Sequence, residues 1–545
     1  MNPLPRRSSL LTQITSLLTF LLAVTWIVSF FNVIQLHQIE VGSNFSQVVV
    51  GGSPKIILAK QEEPNNAAAA NHNRQTDQDD DSYSSKDVHV VFSTDCSGYQ
   101  HWQSIVSYYS LRRAGHMGPI TRIVSGCSSL SQEEAIRTEF HKIQRRSVNH
   151  QLRLHFTPSF ALGGKNYKYS NKPGGLYSFI NHTLLNESVM ALVDPDMMAL
   201  RPIIPQLGEH MTSMPVTRDG YRDLVEYKDE HGRVTLLRRK QLPSLPPRIT
   251  KGVAAGQHFG LGGWWASAGT KNARNDFKEF NLTMVCGQRS PCLNVPPKDS
   301  NGAYTTREFA DNNYAVGPVY IASTLDWMDL LPRWHAFTPR VHAQYPKLLA
   351  EMYAFTMAAA DMQLKFALSS SYMVSDPKTM STTEAWLWVD EYAKKEHSST
   401  THGNKERPVG NALRSVCEGA TPYSLPKKTM RRLENYGYGN YHYSGGAPVL
   451  DEGAGALPTF LHYCQTYKLA NHTFAKRKMP HDFFRCDGLP LKLDAEAMMN
   501  ELDSVENDIS LPEVHKKKQM RTGFMLCHLI PLMNMALDDY KSDVC

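Results

Sequence analysis

From Val88 onward the chain alternates short apolar runs with amphipathic stretches. "VHVVFSTD" (88–95) is an apolar, β-branched run of strand length, and it predicts a buried strand. The next stretch, "HWQSIVSYYSLRRAG" (101–115), spaces Trp102, Ile105, Val106, Tyr109 and Leu111 as on one helix, with Gly115 as the stop. "ITRIVSG" and "LRLHFTP" then read as a second and a third strand, "NKPGGLYSFINHTLL" as a helix entered at a proline, and "VMALV" as a fourth strand. Strands alternating with helices predict an α/β fold, with a Rossmann-like parallel sheet flanked on both faces. Ligands of such sheets bind outside the carboxyl ends of the strands.

The fourth strand runs straight into charge. In "VMALVDPDMMALRP" (189–202), five apolar residues lead to Asp194 and Asp196, separated by Pro195. Two carboxylates so spaced can share one hard divalent cation and grip a diphosphate through it. Aspartate is short, so its charge stays near the backbone, and Pro195 fixes φ between the two. The plain alternative is a solvated turn that caps the strand. The position after a buried strand favours the metal reading. Far along the chain, "LPTFLHYCQTY" (457–467) places His462 after a strand-like run, a further metal-binding candidate whose alternative is a satisfied core histidine. Glu351, in the apolar and helical "LLAEMYAF" (348–355), and Asp311, before "NNYAVGPVYIA" (312–322), are the candidate catalytic carboxylates. The plain alternative for Glu351 is a buried residue hydrogen-bonded to backbone.

The amino terminus predicts a different environment. No Lys, Arg, Asp or Glu occurs from Ser8 to Leu36, and a run of about 20 apolar residues is enough to span a bilayer. Arg6 and Arg7 precede the segment, which the positive-inside rule reads as a cytosolic tail at 1–7 and a signal anchor at 8–36. A cleaved secretory signal is the rival reading. Residues 37–87 lack aromatic density and carry an acidic run, the composition of a disordered stem. A large folded domain is then expected at 88–490 and a helical extension at 491–545, with the bulk of the chain in the lumen or outside. Sequons at Asn44, Asn181, Asn186, Asn281 and Asn471 all lie beyond the anchor.

Composition narrows the class further. The chain has 545 residues, 41% of them hydrophobic, and a net charge of +6 with no dominating basic block, which argues against a nucleic-acid partner. None of the nine cysteines forms a C-x-x-C pair, so a zinc ribbon is not expected. Proximity suggests pairing of Cys96 with Cys127, Cys286 with Cys292 and Cys464 with Cys486, although sequence alone cannot assign connectivity. The polar stretches 217–248 and 390–408 read as surface excursions. The aromatic and Gly-rich segments 256–269 and 434–446 line a groove or simply pack.

From about Val88 to Gly488 the chain resembles the plant and algal hydroxyproline O-arabinosyltransferases and the related peptidyl serine α-galactosyltransferases. The resemblance is carried by "HVVFSTDCSGYQHWQ", "GPITRIVSG", "NKP", "DPDMMALRPI", "LLAEMYAF" and "FLHYCQTY" in that order. It implies a single-pass type II Golgi membrane protein with a luminal catalytic domain at 88–490, a GT-A-type glycosyltransferase, a UDP-sugar donor of arabinofuranose or galactose, a hydroxyproline- or serine-containing protein acceptor, and retention of configuration. The arabinosyltransferases carry Glu-Pro-Asp-His where this chain has Asp194, Pro195, Asp196 and Met197, and the galactosyltransferases an Asp-Ala-Asp-Met-like form. By the same resemblance Asp194 and Asp196 face Mn²⁺ and the diphosphate, His462 is the third protein ligand, and Ser93, Thr94 and Asp95 hold the nucleoside. Asn171 and Lys172 reach ribose or phosphate, Lys172 being otherwise a charged helix-start residue, and Glu351 or Asp311 steadies an oxocarbenium-like centre or orients the acceptor hydroxyl. The rival classes are a membrane-tethered carbohydrate-binding protein without turnover and a luminal phosphatase of the haloacid dehalogenase type.

Overall fold

All four expected strands form and pair in parallel. They are β1 (Val88–Asp95), β2 (Ile120–Ser125), β3 (Leu152–Thr157) and β4 (Val189–Val193), in spatial order β3-β2-β1-β4. The structure, a computed structural model, describes residues 85–146, 152–163, 167–205, 224–228, 234–238, 248–259, 261, 263–295, 306–369, 372–379, 384–386, 389–390, 412–418 and 457–545. Three helices connect these strands: α1 (Gly98–Arg113), α2 (Leu130–Arg146) and α3 (Asn171–His182). Ser97 caps α1 by accepting a bond from the Gln100 amide, and Gly115, at φ +80°, turns the chain out of it.

Three short strands follow: β5 (Met197–Ala199) and the antiparallel pair β6 (Leu224–Lys228) and β7 (Val234–Arg238). The main sheet then gains β8 (Ala254–His258), β9 (Val316–Ser323) and β10 (Phe366–Ser369), for the order β10-β8-β9-β4-β1-β2-β3. The expectation of a parallel sheet holds with one exception, because β9 runs antiparallel to both β4 and β8. Between β8 and β9 lie α4 (Leu282–Cys286) and α5 (Thr306–Tyr314), and the chain comes back with Val316 opposite His258, the last residue of β8. After β9 come α6 (Thr324–Gln344) and α7 (Ala350–Asp361). A second small sheet joins β11 (Met373–Val374), β12 (Phe460–His462) and β5, and β13 (Thr466–Leu469) pairs with β14 (His472–Ala475). The remaining helices are α8 (Ala412–Cys417), α9 (Ala495–Asn507) and α10 (Glu513–Val544).

Side-chain alternation divides the core into two layers. Val88, Val90 and Phe92 of β1 and Val189, Ala191 and Val193 of β4 face α1, α2, α9 and α10. Val91, Met190 and Leu192 face α3, α6 and α7 on the other side. Every residue of β4 is wholly buried, and each such Val, Leu or Met contributes about 1.5–3 kcal/mol. A strand this apolar is stable up to its last residue, so the aspartates that follow sit on a fixed edge. On the opposite face α3 lies close against the sheet because Gly175 has no Cβ. One added there would meet Ile123 Cγ2 at 2.8 Å and Ser125 Oγ at 3.1 Å.

Four disulfides tie the described residues together: Cys96–Cys127, Cys286–Cys292, Cys417–Cys527 and Cys486–Cys545. The first two are the pairs expected from proximity. The third expected pair is corrected, since Cys486 bonds to Cys545 at the end of α10 while Cys464 is a free thiol. The reason is tertiary: α10 packs across α1 and α2, held by Arg112 to Asp543 at 2.9 Å and by Arg113 to Asp539, and so delivers Cys545 to Cys486.

The expectation of a single-pass type II Golgi membrane protein does not stand. Among the described residues no helix is long and apolar enough to cross a membrane. The 8–36 segment, the tail before it, Asn44 and the stem up to residue 84 lie outside the described residues, as do 434–446 and most of 217–248 and 390–408. Asn181, Asn186, Asn281 and Asn471 are exposed.

Candidate active site

The two aspartates are placed by a turn and by a strand from the far end of the chain. At the end of β4 the Met197 amide donates to the Asp194 carbonyl at 3.1 Å, which closes a four-residue turn with Pro195 at its favoured second position. β5 then pairs antiparallel with β12, Met197 opposite His462, and the Tyr463 amide donates to the Asp196 carbonyl at 3.1 Å. Trp102 of α1 stacks on Tyr463 at 5.9 Å between ring centroids, which fixes β12 from behind. One ligand atom from each of Asp194, Asp196 and His462 lies within 4.8 Å of the other two, so the three could hold one metal ion.

The charges around this triad are balanced by two lysines. The Lys172 ammonium contacts Asp194 at 2.9 Å and Glu351 at 3.0 Å, with its side chain only 13% exposed. Lys476, just after β14, donates to Asp196, and His462 Nε2 stands 3.4 Å from the same carboxylate. Burial pushes the Asp196 carboxyl upward, but His462 and Lys476 together outweigh it and hold the group well below the ordinary carboxylate range. Burial lowers the His462 imidazole, and Asp196 with Asp194 more than reverses that. Lys172 likewise stays protonated against burial because of Asp194 and Glu351. Glu351 is pushed up by burial, only partly offset by Lys172. Its backbone is clamped by Tyr167, whose hydroxyl accepts from the Glu351 amide at 2.8 Å, and by Trp334, which donates to its carbonyl at 2.7 Å. Two buried atoms of the group, Glu351 Oε2 and His462 Nδ1, have no hydrogen-bond partner among the described residues.

Beside the triad, at the carboxyl ends of β1 to β3, lies a cleft of about 270 Å³ lined mostly by polar residue types. Asp95, Ser125, Gly126, Lys168 and Asn171 are among its lining residues. Lys168 reaches Asp95 at 3.2 Å, and Asp95 also accepts from the Ser97 amide at 2.8 Å. Thr94 is buried, donating to the Ile123 carbonyl at 3.0 Å and accepting from Arg122, and Ser93 is buried beside it. The Asn171 side-chain oxygen Oδ1 accepts from the Phe160 amide at 2.7 Å. Asp311 is engaged differently, by the Gly263 amide and by Arg307 at 3.4 Å on its own helix. A larger cavity of about 400 Å³ lies between α2 and the start of β3, lined by Glu134, Arg137 and Leu152 among others, at the opposite edge of the sheet from the aspartates.

The structure brings together Asp194, Asp196, His462, Lys172 and Glu351, each singled out separately from the sequence, and adds Lys476, Lys168 and Tyr167, which sequence reasoning missed. The basic run "KRK" at 476–478 is visible in the sequence, but nothing local connects it to an aspartate 280 residues earlier.

No family model matches the chain. It is 32% identical over 134 residues to a peptidyl serine alpha-galactosyltransferase of Arabidopsis thaliana, a match covering 24% of this chain and 15% of that protein. A protein of the same description from Chlamydomonas reinhardtii is 26% identical over 162 residues, 30% of this chain and 20% of that relative. The chain therefore spans a minor part of the length of the curated relatives it matches. Over those segments it is similar to the peptidyl serine alpha-galactosyltransferases, the family that its motifs resemble.

Proposed function

We propose that the chain is a metal-dependent glycosyltransferase of GT-A type, moving galactose or arabinofuranose from a UDP-sugar to serine or hydroxyproline of a protein acceptor with retention of configuration. The observation that carries this reading is the convergence of Asp194, Asp196 and His462 at the carboxyl edge of the sheet, beside a cleft of about 270 Å³. Two carboxylates and an imidazole are a mixed oxygen and nitrogen donor set, which suits Mn²⁺ better than Ca²⁺. The chemistry a bound metal supplies there is Lewis-acid stabilisation of charge on the departing diphosphate.

The chain's own residues do the rest. Lys172 holds Asp194 in place and keeps its charge partly neutralised. The cleft beside Asp95, with Thr94 and Ser93 in its supporting strand, receives the nucleoside, and Lys168 and Asn171 lie at its wall. Glu351 offers one buried, unpartnered oxygen to orient the acceptor hydroxyl while its other oxygen stays on Lys172. Asp311 has a supporting part, fastening Gly263 to α5.

Purified protein supplied with UDP-galactose or UDP-arabinofuranose and serine or hydroxyproline peptides tests the reading. The expected result is transfer from one donor, with slow donor hydrolysis in the absence of peptide, both abolished by chelator and restored by Mn²⁺. Absence of both transfer and hydrolysis with Mn²⁺ present overturns it, and binding of glycan without turnover points instead to a carbohydrate-binding protein.

A further inference from the structure

Lys476 is the one member of the charged group that no sequence motif suggested. It lies on the short turn Lys476–Lys478 directly after β14, and its ammonium contacts Asp196, one of the three candidate metal ligands. Its side chain is 21% exposed and faces one carboxylate, whereas that of Lys172 is 13% exposed and lies between two. The lysines are therefore not equivalent. Lys172 keeps Glu351 as a partner whatever happens at Asp194. Lys476 has Asp196 as its one carboxylate partner at 4.0 Å or less among the described residues.

The charge balance follows from these contacts. Asp194, Asp196 and Glu351 against Lys172 and Lys476 leave the group one negative charge when His462 is neutral. A divalent cation held by Asp194, Asp196 and His462 would turn that into one positive charge, and it would place a second cation on the Asp196 carboxylate, whose Oδ2 holds Lys476. Two cations cannot share one short carboxylate without repulsion, so the ammonium on the flexible stem is the one that moves.

Resting on the proposed function, we infer that Lys476 is a built-in cation that occupies Asp196 when metal is absent and transfers to the donor's diphosphate when metal arrives. It thereby competes with the metal and cooperates with the nucleotide. A purely structural lysine has neither effect, and a plain phosphate-binding lysine has only the second.

The experiment titrates Mn²⁺ alone, followed by the loss of the free Mn²⁺ signal in electron paramagnetic resonance, and then UDP at saturating Mn²⁺ by calorimetry, on the full chain. Lys476→Gln is expected to bind Mn²⁺ several-fold more tightly and UDP on the order of tenfold more weakly, the loss of one charged hydrogen bond. Lys476→Arg keeps the charge but grips a carboxylate with two N–H groups, so it should weaken Mn²⁺ binding and leave UDP within a few-fold of the parent. The arginine variant carries the test if the glutamine variant fails to fold, as judged by circular dichroism. Affinities that fall together or stay unchanged in the glutamine variant overturn the exchange while leaving the site reading intact. Failure of the parent protein to bind either Mn²⁺ or UDP overturns both.

Discussion

Lys172 is the sharpest point at which the arrangement can be perturbed, because one buried ammonium answers two carboxylates. With nitrogen to oxygen distances of 2.9 Å to Asp194 and 3.0 Å to Glu351, Coulomb's law at an effective dielectric of about 20 puts each contact near 6 kcal/mol before desolvation. Much of that is cancelled by the cost of burying the ions, and breaking such a buried pair typically costs about 3–5 kcal/mol. Lys172→Met keeps most of the apolar stem, so the loss comes from two carboxylates left facing each other. We expect the variant to lose about 3–5 kcal/mol in urea denaturation at neutral pH. Glu351→Gln in the Lys172→Met background removes one of the two stranded charges and should recover about 2 kcal/mol or more, a coupling well beyond the additivity of independent sites. If the two substitutions simply add, or if Lys172→Met is silent, the three groups do not form the unit described here.

Asp194→Asn and Asp196→Asn should each lower Mn²⁺-dependent transfer by about a hundredfold or more, roughly 2.7 kcal/mol of transition-state stabilisation, with the protein still folded; near-normal transfer per folded molecule in both refutes the metal assignment. His462→Ala should act in the same direction less severely. Cys417–Cys527 joins residues 110 apart and Cys286–Cys292 residues 6 apart, so loop-closure entropy assigns them about 5 and about 2 kcal/mol respectively, and Cys417→Ser should lower the denaturation midpoint more than Cys286→Ser. Burial lowers the imidazoles of His258 and His528 to about 4 and that of His116 to about 3, from an ordinary value of 6.5. The unfolded chain then takes up protons that the native one refuses. Stability is full above pH 6.5 and falls as pH drops from there towards 4, by on the order of 2 kcal/mol per histidine at pH 5. A denaturation midpoint that stays level from pH 7.5 to pH 5 would contradict these burials.

What the sequence revealed and what it hid divide along one physical line. β1 to β4, α1 and α3 were legible because a short apolar run and apolar residues at helical spacing are local signals, although α1 proves buried on every side from Trp102 to Leu111, and the placement of Asp194 after "VMALV" followed from that. The antiparallel course of β9 was not, because "VGPVYIAS" reads as a strand whichever way it runs. His462 could be singled out by its strand-like flank, but its pairing opposite Met197 is a long-range register that no window contains. Lys172 was visible as a charge at a helix start, whereas its second partner, Glu351, is 179 residues away. The Cys486–Cys545 bond was hidden for the same reason, since only the packing of α10 brings those sulfurs together.

The pairing of β5 with β12 also has a consequence for the order of synthesis. Asp196 leaves the ribosome 280 residues before Lys476, which at 5–20 residues per second is roughly 15 to 55 s. Throughout that interval β1 to β4 can already be paired, and the acidic turn stands at the edge of a half-built sheet with the Lys172 ammonium beside Asp194 but neither the His462 imidazole nor the Lys476 ammonium beside Asp196. The centre described here therefore cannot exist on a partial chain. Its completion coincides with the arrival of β12 to β14, so any competence to bind a metal through all three ligands marks a molecule whose late segments have already been docked.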